Sequence, residues 1–478
     1  MAEVAAGLGD RLRAAGYVAV TPATRSGRPD ATQPWPTDRT REEHHATGRL
    51  GVLRRLFDGC VDVDGHEAAA ALAPLSMDDL LRSGVLRATS PGRVASQLRV
   101  EPFAGVLIGA DARPRSHHVA GLNNAAVLLA QTTVRPTVPR VLDLGTGCGV
   151  QALVAVPHGA SVFGVDVNPR AVAMATFNAA MNDLDHVVDF RLGSWFDPVE
   201  SQRFDLIVVN PPFVMSPDRH CVFRDSPQRG DALGRMLLRS ASRHLDAGGY
   251  AVMLCNWACT PEDSLAPIER WLEGIDADAV VVHYATDTTS RYARRWNGHL
   301  DPGSDEFRAA VERWTRYLRG AGISAVAYGV VTIRRRPEGP WWRVGIPVTQ
   351  PPSGFAGNQM LRIFQARDVL ARMTDDRSVL SLVFRTVDGQ TAARTPLHRG
   401  GGFAHGPVRI GVVPGLGVTR TVEPAVFAVL CRCDGHRPLG DLVRETSRQL
   451  SLDEWTLAAH TIPAVKGLLG DGLLSCGT

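Results

Sequence analysis

An apolar run that ends in alternating glycines constrains this chain more than any other stretch. It reads Arg140-Val141-Leu142-Asp143-Leu144-Gly145-Thr146-Gly147-Cys148-Gly149. A run of this kind predicts a parallel strand covered on both faces that turns sharply into a helix. Glycine accepts left-handed backbone angles and lets the backbone come close to a ligand. The pattern then repeats. A helix from Val150 to Pro157 leads to a strand from Ser161 to Val165 that ends on Asp166. A helix from Pro169 to Asn182, a strand from Val187 to Arg191, Gly193-Ser194-Trp195 and a strand from Phe204 to Val209 follow. Strands alternating with helices at this spacing predict a doubly wound α/β sheet. The first N–H groups of the helix at Val150 are expected to face a bound ligand. Asp166 sits at a strand tip about twenty residues past the glycines, where a carboxylate suits ribose hydroxyls. The glycines read G-x-G-x-G with Val150 next, so the dinucleotide fingerprint G-x-G-x-x-G is not met. That spacing disfavours a dehydrogenase.

The strand from Phe204 stops at Asn210-Pro211-Pro212-Phe213. The delocalised lone pair of an amide or aromatic amine makes its nitrogen a poor nucleophile. Two acceptors aimed at its N–H groups can turn that lone pair towards an electrophile and hold the developing positive charge. Asn210 offers a side-chain carbonyl and Pro211 a backbone carbonyl. Proline has no N–H and a fixed φ, so the pair keeps these carbonyls stiff. Phe213 offers a flat face for a planar substrate.

On these residues the stretch resembles the class I S-adenosylmethionine-dependent methyltransferases, in the subset with an Asn-Pro-Pro-aromatic motif that methylates planar nitrogens. The resemblance covers about two hundred residues, less than half of the 478. It implies a Rossmann-like seven-stranded α/β core and S-adenosylmethionine as cofactor. By position it assigns Asp143, Gly145, Thr146, Gly147 and Gly149 to the methionine-side loop, and Asp166 with Val167 to the ribose. Ser194 and Trp195 fall on the adenine wall, and Asn210, Pro211, Pro212 and Phe213 on the catalytic motif, with Asn210 also against the cofactor. No metal site is expected. The acceptor it implies carries a planar nitrogen, in a protein, a nucleic acid or a natural product. A small-molecule O- or C-methyltransferase and a non-catalytic nucleotide-binding module are the alternatives.

At 478 residues the chain is long enough for two or three domains. Five segments are expected. Residues 1–48 are an N-terminal helix and linker, and 49–112 a small winged-helix-like α+β domain with Ser76 capping a helix from Met77 to Ser83. Residues 113–336 form the methyltransferase domain, 337–420 an irregular linking region, and 421–478 a helical, winged-helix-like domain. A helix carrying Val119, Leu122, Ala126 and Leu129 is expected to follow Ser116-His117-His118 over the ligand edge. Residues 216–231, with Asp218, Arg219, His220, Arg224, Asp225 and Arg229, read as a substrate loop. Tyr292 and Trp296 are weighed as pocket-lining residues against a packing role.

Net charge is only +3, and Lys466 is the sole lysine. From Glu423 onward five basic residues face seven acidic ones. Phosphate tracking needs clustered Lys and Arg, so charge gives nucleic acid no support as a partner, although the motif leaves it open. Arg334-Arg335-Arg336 is expected to be a solvated strand exit, and His44-His45 a solvated loop pair. Eight scattered cysteines lack zinc spacing and suit buried thiols in a reducing compartment. No apolar leader and no membrane-length run are seen. The expectation is therefore a cytoplasmic protein without a membrane partner. A homodimer is left open.

Overall fold

The structure is a computed structural model. It describes residues 1–17, 48–115, 117–218, 224–226, 228–348, 350–373, 375–399 and 402–476. His44, His45, Ser116, Arg219, His220, Gly400 and Gly401 lie outside them. The described chain divides into two compact units. One contains residues 1–17, 48–130 and 137–345, and the other 131–136 and 346–476.

The first unit opens with α1 (Ala2–Ala14), whose Ala5, Leu8 and Leu12 are buried at helical spacing. A small module follows: α2 (Gly48–Phe57), β1 (Val63–Asp64), α3 (Gly65–Leu72), α4 (Met77–Arg82), β2 (Leu86–Ser90) and β3 (Arg93–Ser96). Its strands pair in the order β1-β3-β2. Asp64 caps α3 and Ser76 caps α4 through side-chain oxygens that accept first-turn N–H groups. A hairpin, β4 (Leu98–Phe103) and β5 (Val106–Asp111), leads to α5 (Asn124–Thr132). The helix expected from Val119 thus starts later. Val119 is tied to β5 instead: its N–H donates to the Asp111 carboxylate at 2.9 Å, and its carbonyl accepts the Asp111 N–H at 3.2 Å.

The core is β6 (Val138–Leu144), α6 (Val150–Ala155), β7 (Gly159–Asp166), α7 (Pro169–Met181), β8 (Val188–Leu192), β9 (Phe204–Val209), α8 (Ala232–Arg243) and β10 (Leu245–Cys259). After these come α9 (Ala266–Trp271), β11 (Ala277–Thr288), α10 (Thr289–Trp296), α11 (Asp305–Gly320), β12 (Ala325–Arg335) and β13 (Arg343–Pro347). The sheet order is β13-β11-β12-β10-β9-β6-β7-β8. Strands β6 to β10 pair in parallel, whereas β12 runs antiparallel to both β10 and β11. Seven strands were expected; the eighth, β13, forms inside the proline-containing stretch read as an irregular linking region. An edge strand needs a partner on one side only, so flanking prolines do not forbid it. The apolar run of β9 is buried throughout its last four residues, as a central parallel strand requires. Helix α1 lies on α7: Arg13 donates to the Met181 carbonyl at 2.9 Å, and a Cβ on Gly9 would sit 1.8 Å from that oxygen. Asn178 and Asn182, one turn apart on α7, exchange hydrogen bonds with the backbone of Gly109 and Leu107 in β5.

Of the three arginines at the end of β12, Arg334 is buried, and Arg335 and Arg336 are half-buried with their guanidinium groups bonded. Register places Arg334 opposite Asp278 of β11, which is fully buried. Arg334 donates to it at 2.6 Å and Arg336 at 3.2 Å, while Arg335 donates to the Leu245 carbonyl at 3.1 Å. Burying a carboxylate is costly unless cations and donors replace its lost hydration.

The second unit holds α12 (Gly357–Ala371), β14 (Val383–Thr386), β15 (Gln390–Arg399), β16 (Gly402–Val412), β17 (Arg420–Val422), α13 (Pro424–Leu430), β18 (Asp434–Pro438), α14 (Leu439–Leu450), α15 (Glu454–Gly470) and β19 (Leu474–Cys476). Two three-stranded sheets form, β15-β16-β17 and β18-β14-β19. Residues 337–420, read as irregular, therefore contain regular structure. A 3₁₀ turn over Asp376–Ser381 precedes β14, and the Asp375 side chain caps it by accepting the Arg377 N–H. A core of Val379, Phe384, Val408, Ile410, Val429, Leu442, Val465 and Leu474 joins both sheets to the helices. Among the described residues no helix is long and apolar enough to cross a membrane.

Candidate active site

Strand order reverses direction beside β6, which pairs with β7 on one side and β9 on the other. Ligands of open α/β sheets bind at the carboxyl ends of strands at such a switch point. Three predicted features meet there: the glycine loop after β6, Asp166 closing β7, and Asn210 following β9.

Gly145, Gly147 and Gly149 all have positive φ, at 75°, 55° and 84°. Their surroundings differ. A Cβ on Gly145 or Gly147 would meet nothing within 4 Å, so their bare backbone borders open space. A Cβ on Gly149 would lie 3.1 Å from the Ala175 Cβ, which makes this glycine a packing requirement between α6 and α7. The Gly145 and Thr146 N–H groups donate to the Val165 carbonyl at 2.8 and 2.9 Å, sewing the loop to β7. Asp143 lies beneath the loop rather than in it. It is 2% exposed, and its Oδ2 accepts from Thr146 Oγ1 at 2.7 Å and from the Ala152 N–H at 3.0 Å. Burial pushes its carboxyl up to about 7, against the pull of those two donors. Asp143 and Thr146 thus shape the loop from below. The Ala152 N–H, in the first turn of α6, is committed to Asp143 and does not face a ligand.

The Asp166 carboxylate is partly exposed at the strand tip. Its Oδ2 accepts the Gly147 N–H at 2.9 Å and its Oδ1 the Asn168 N–H at 2.8 Å. An ionised carboxylate has about four acceptor sites, so capacity beyond these backbone donors remains. Burial raises the carboxyl above its usual range, and the backbone N–H groups hold it back. Val167 is 62% exposed and Leu192, the register partner of Asp166, is 56% exposed, so two bare apolar side chains flank the acid. Ser194 is exposed, and Trp195, with φ of 47°, leans half-buried on the sheet core.

Asn210 is half-buried, and among the described residues its side-chain amide makes no hydrogen bond. Among the described residues this half-buried amide at the carboxyl edge of a central strand thus keeps its polar atoms unengaged. Pro211 is buried and Pro212 half-buried. Phe213 meets Trp296 edge-on, with ring centroids 6.4 Å apart. Tyr292 is fully buried, and Trp296 nearly so, within the core beneath Phe213; both pack rather than line a pocket. The neck of the 216–231 loop is closed by Val214, whose N–H donates to the Arg224 carbonyl and whose carbonyl accepts the Ser226 N–H. Asp218 is fixed by Arg313 at 3.0 Å and by Trp314 Nε1 at 2.8 Å. His118 lies 3.8 Å from Asp111, whose carboxylate also pairs with Arg170. The His117 carbonyl accepts Asn168 Nδ2 at 3.1 Å, which brings this segment to the rim beside Asp166. Sequence reasoning missed Asn168. Its signal was available as the polar residue before Pro169, where Asn caps a helix with Pro at its first position.

A bare glycine cradle, an acidic strand tip and an asparagine whose side chain has no partner among the described residues meet at the switch point of a Rossmann-like sheet, an arrangement that suits a nucleotide cofactor. Residues 116–273 match the model of the methyltransferase small domain. A release factor glutamine methyltransferase of Gloeobacter violaceus is 34% identical over 219 residues, 43% of this chain and 72% of that protein. One from Xylella fastidiosa is 38% identical over 130 residues, 25% of this chain and 47% of that protein. A ribosomal protein uL3 glutamine methyltransferase of Bradyrhizobium diazoefficiens is 33% identical over 144 residues, 28% of this chain and 44% of that protein. The chain thus spans about half the length of several curated relatives it matches. It belongs to the class I S-adenosylmethionine-dependent methyltransferases.

Proposed function

We propose that this protein transfers the methyl group of S-adenosylmethionine to the side-chain nitrogen of a glutamine in a protein. The observation that carries this reading is the Asn210 amide, which keeps its carbonyl oxygen for a substrate at the carboxyl edge of β9. The names of the relatives favour glutamine among planar nitrogens. Bound in the cradle, the cofactor supplies an electrophilic methyl group on a positively charged sulfur. Gly145 and Gly147 leave space for its amino-acid end, Asp166 accepts its ribose hydroxyls, and Val167 and Leu192 offer apolar cover for a base. Asn210 Oδ1 and the Pro211 carbonyl accept the two N–H groups of the substrate amide. Held this way, the amide turns its nitrogen lone pair towards the methyl group, and the two oxygens stabilise the charge that grows on nitrogen. Phe213 stacks on the planar amide.

The module at 49–112 is a candidate for substrate recognition. Its exposed Asp78 and Asp79 on α4 suit a protein partner better than a phosphate backbone. Incubation with methyl-labelled cofactor and cell extract tests the whole reading. Label is expected in protein, recovered as N-methylglutamine. Label confined to nucleic acid or to small molecules would overturn it and favour base methylation or the O- or C-methyltransferase reading.

A further inference from the structure

We propose that Tyr292 is a positioning residue, which fixes the loop carrying Asn210 and Phe213 in the geometry needed for methyl transfer. The inference rests on the function proposed above and deepens it. Tyr292 lies on α10, more than seventy-five residues away in sequence from the loop it touches. Its side chain is fully buried. The phenol oxygen accepts the Met215 N–H at 2.9 Å and Asn256 Nδ2 at 3.3 Å. Met215 follows Phe213 by two positions. Asn256, only 4% exposed, lies on the extension of β10 beyond Met253, which is the register partner of Val209, the last residue of β9. The phenol therefore ties the far end of the loop to the strand beside β9.

The ring acts in the same direction. Tyr292 and Trp296 pack with centroids 6.0 Å apart, and Trp296 supports Phe213 edge-on. Val214, between Phe213 and Met215, is held by its two backbone bonds to the loop neck. The consecutive residues 213, 214 and 215 are thus fixed by a ring contact, a short ladder and the phenol. The Asn-Pro-Pro segment before them is stiff by composition, so an anchor at Met215 sets where Asn210 and Phe213 point. Nearby charges are Asp225 and Arg224, which pair with each other. Burial holds the phenol well above its ordinary range, so it keeps its proton at any working pH. An anchor of this type costs substrate turnover when removed, because small displacements of catalytic groups are expensive. A residue that only fills core would cost stability alone.

Tyr292→Phe keeps the ring and deletes the oxygen. In the full chain, exchange of the Met215 N–H should become at least about tenfold faster, the scale of one lost buried hydrogen bond. Cofactor affinity should stay within about twofold, and kcat on a glutamine-containing peptide should fall about tenfold with a smaller change in KM. Added to Asn210→Ala, the same substitution should cost less than about twofold more, because both act through one loop. Unchanged exchange at Met215, or unchanged kcat per folded molecule, would overturn the assignment. If the wild-type protein methylates no glutamine peptide, the proposed function fails, and the exchange and affinity measurements still decide whether Tyr292 anchors the loop.

Discussion

Replacing Asp166 should weaken cofactor binding without unfolding the protein, and the geometry sets the scale. An ionised carboxylate offers about four acceptor sites on its two oxygens. The Gly147 N–H occupies one site on Oδ2 and the Asn168 N–H one on Oδ1. Acceptor capacity remains on this partly exposed carboxylate for ribose hydroxyls. A hydrogen bond to a charged group contributes about 1.5–3 kcal/mol. Water replaces part of what is lost, so Asp166→Ala should weaken S-adenosylmethionine by at least about 2 kcal/mol, roughly thirtyfold. Asp166→Asn keeps one acceptor oxygen and should lose about tenfold. Because the ionised form accepts both hydroxyls, wild-type affinity should also fall as pH drops into the raised titration range of this carboxyl. Titration calorimetry at pH 8 on the three proteins, each shown folded by circular dichroism, measures the series. Equal affinities for wild type and Asp166→Ala would remove Asp166 from the site and with it the ribose assignment.

Asn210→Ala should keep cofactor affinity while methyl transfer falls on the order of a hundredfold to a thousandfold, the cost of deleting one transition-state hydrogen bond; near wild-type turnover in single-turnover assays would sink its role. Asp143→Asn tests the buried acid. Its folded carboxyl titrates near about 7, above about 3.9 in an unfolded chain. The folded state therefore binds the proton more tightly between those values, and stability falls as pH rises through that window. The full effect is about 4 kcal/mol; urea melts at pH 4.5 and pH 8 should show the wild-type slope exceeding that of the variant, and equal slopes would contradict it. Gly145→Ala places a methyl group in the open cradle and should cost at least about tenfold in cofactor affinity. Gly149→Ala pushes on Ala175 instead and should chiefly lower the melting temperature; equal effects on binding and melting in both variants would refute the distinction.

The core of the fold, and the meeting of the glycine loop, Asp166 and Asn210 at one edge of it, were legible in the sequence because both are written locally. Buried parallel strands read as continuous apolar runs, and a glycine loop, an acidic tip and an Asn-Pro-Pro-Phe each declare themselves within a few residues. Other features depend on which distant segments meet. Helix α10 escaped notice because Arg291, Arg294 and Arg295 mask the buried stripe of Tyr292, Ala293 and Trp296. Asp143 looked like a ligand from its place beside the glycines, yet its side chain points into the layer below, since alternate residues of a strand face opposite sides. The arginines after β12 read as solvated until antiparallel pairing set Asp278 against Arg334. Strand pairing, register and burial of charge are long-range choices, made by the lowest free energy of the whole chain rather than by any one stretch. Composition and periodicity determined the type of sheet and the edge where the glycine loop, Asp166 and Asn210 meet; tertiary packing alone decided what holds the Asn210 loop in place.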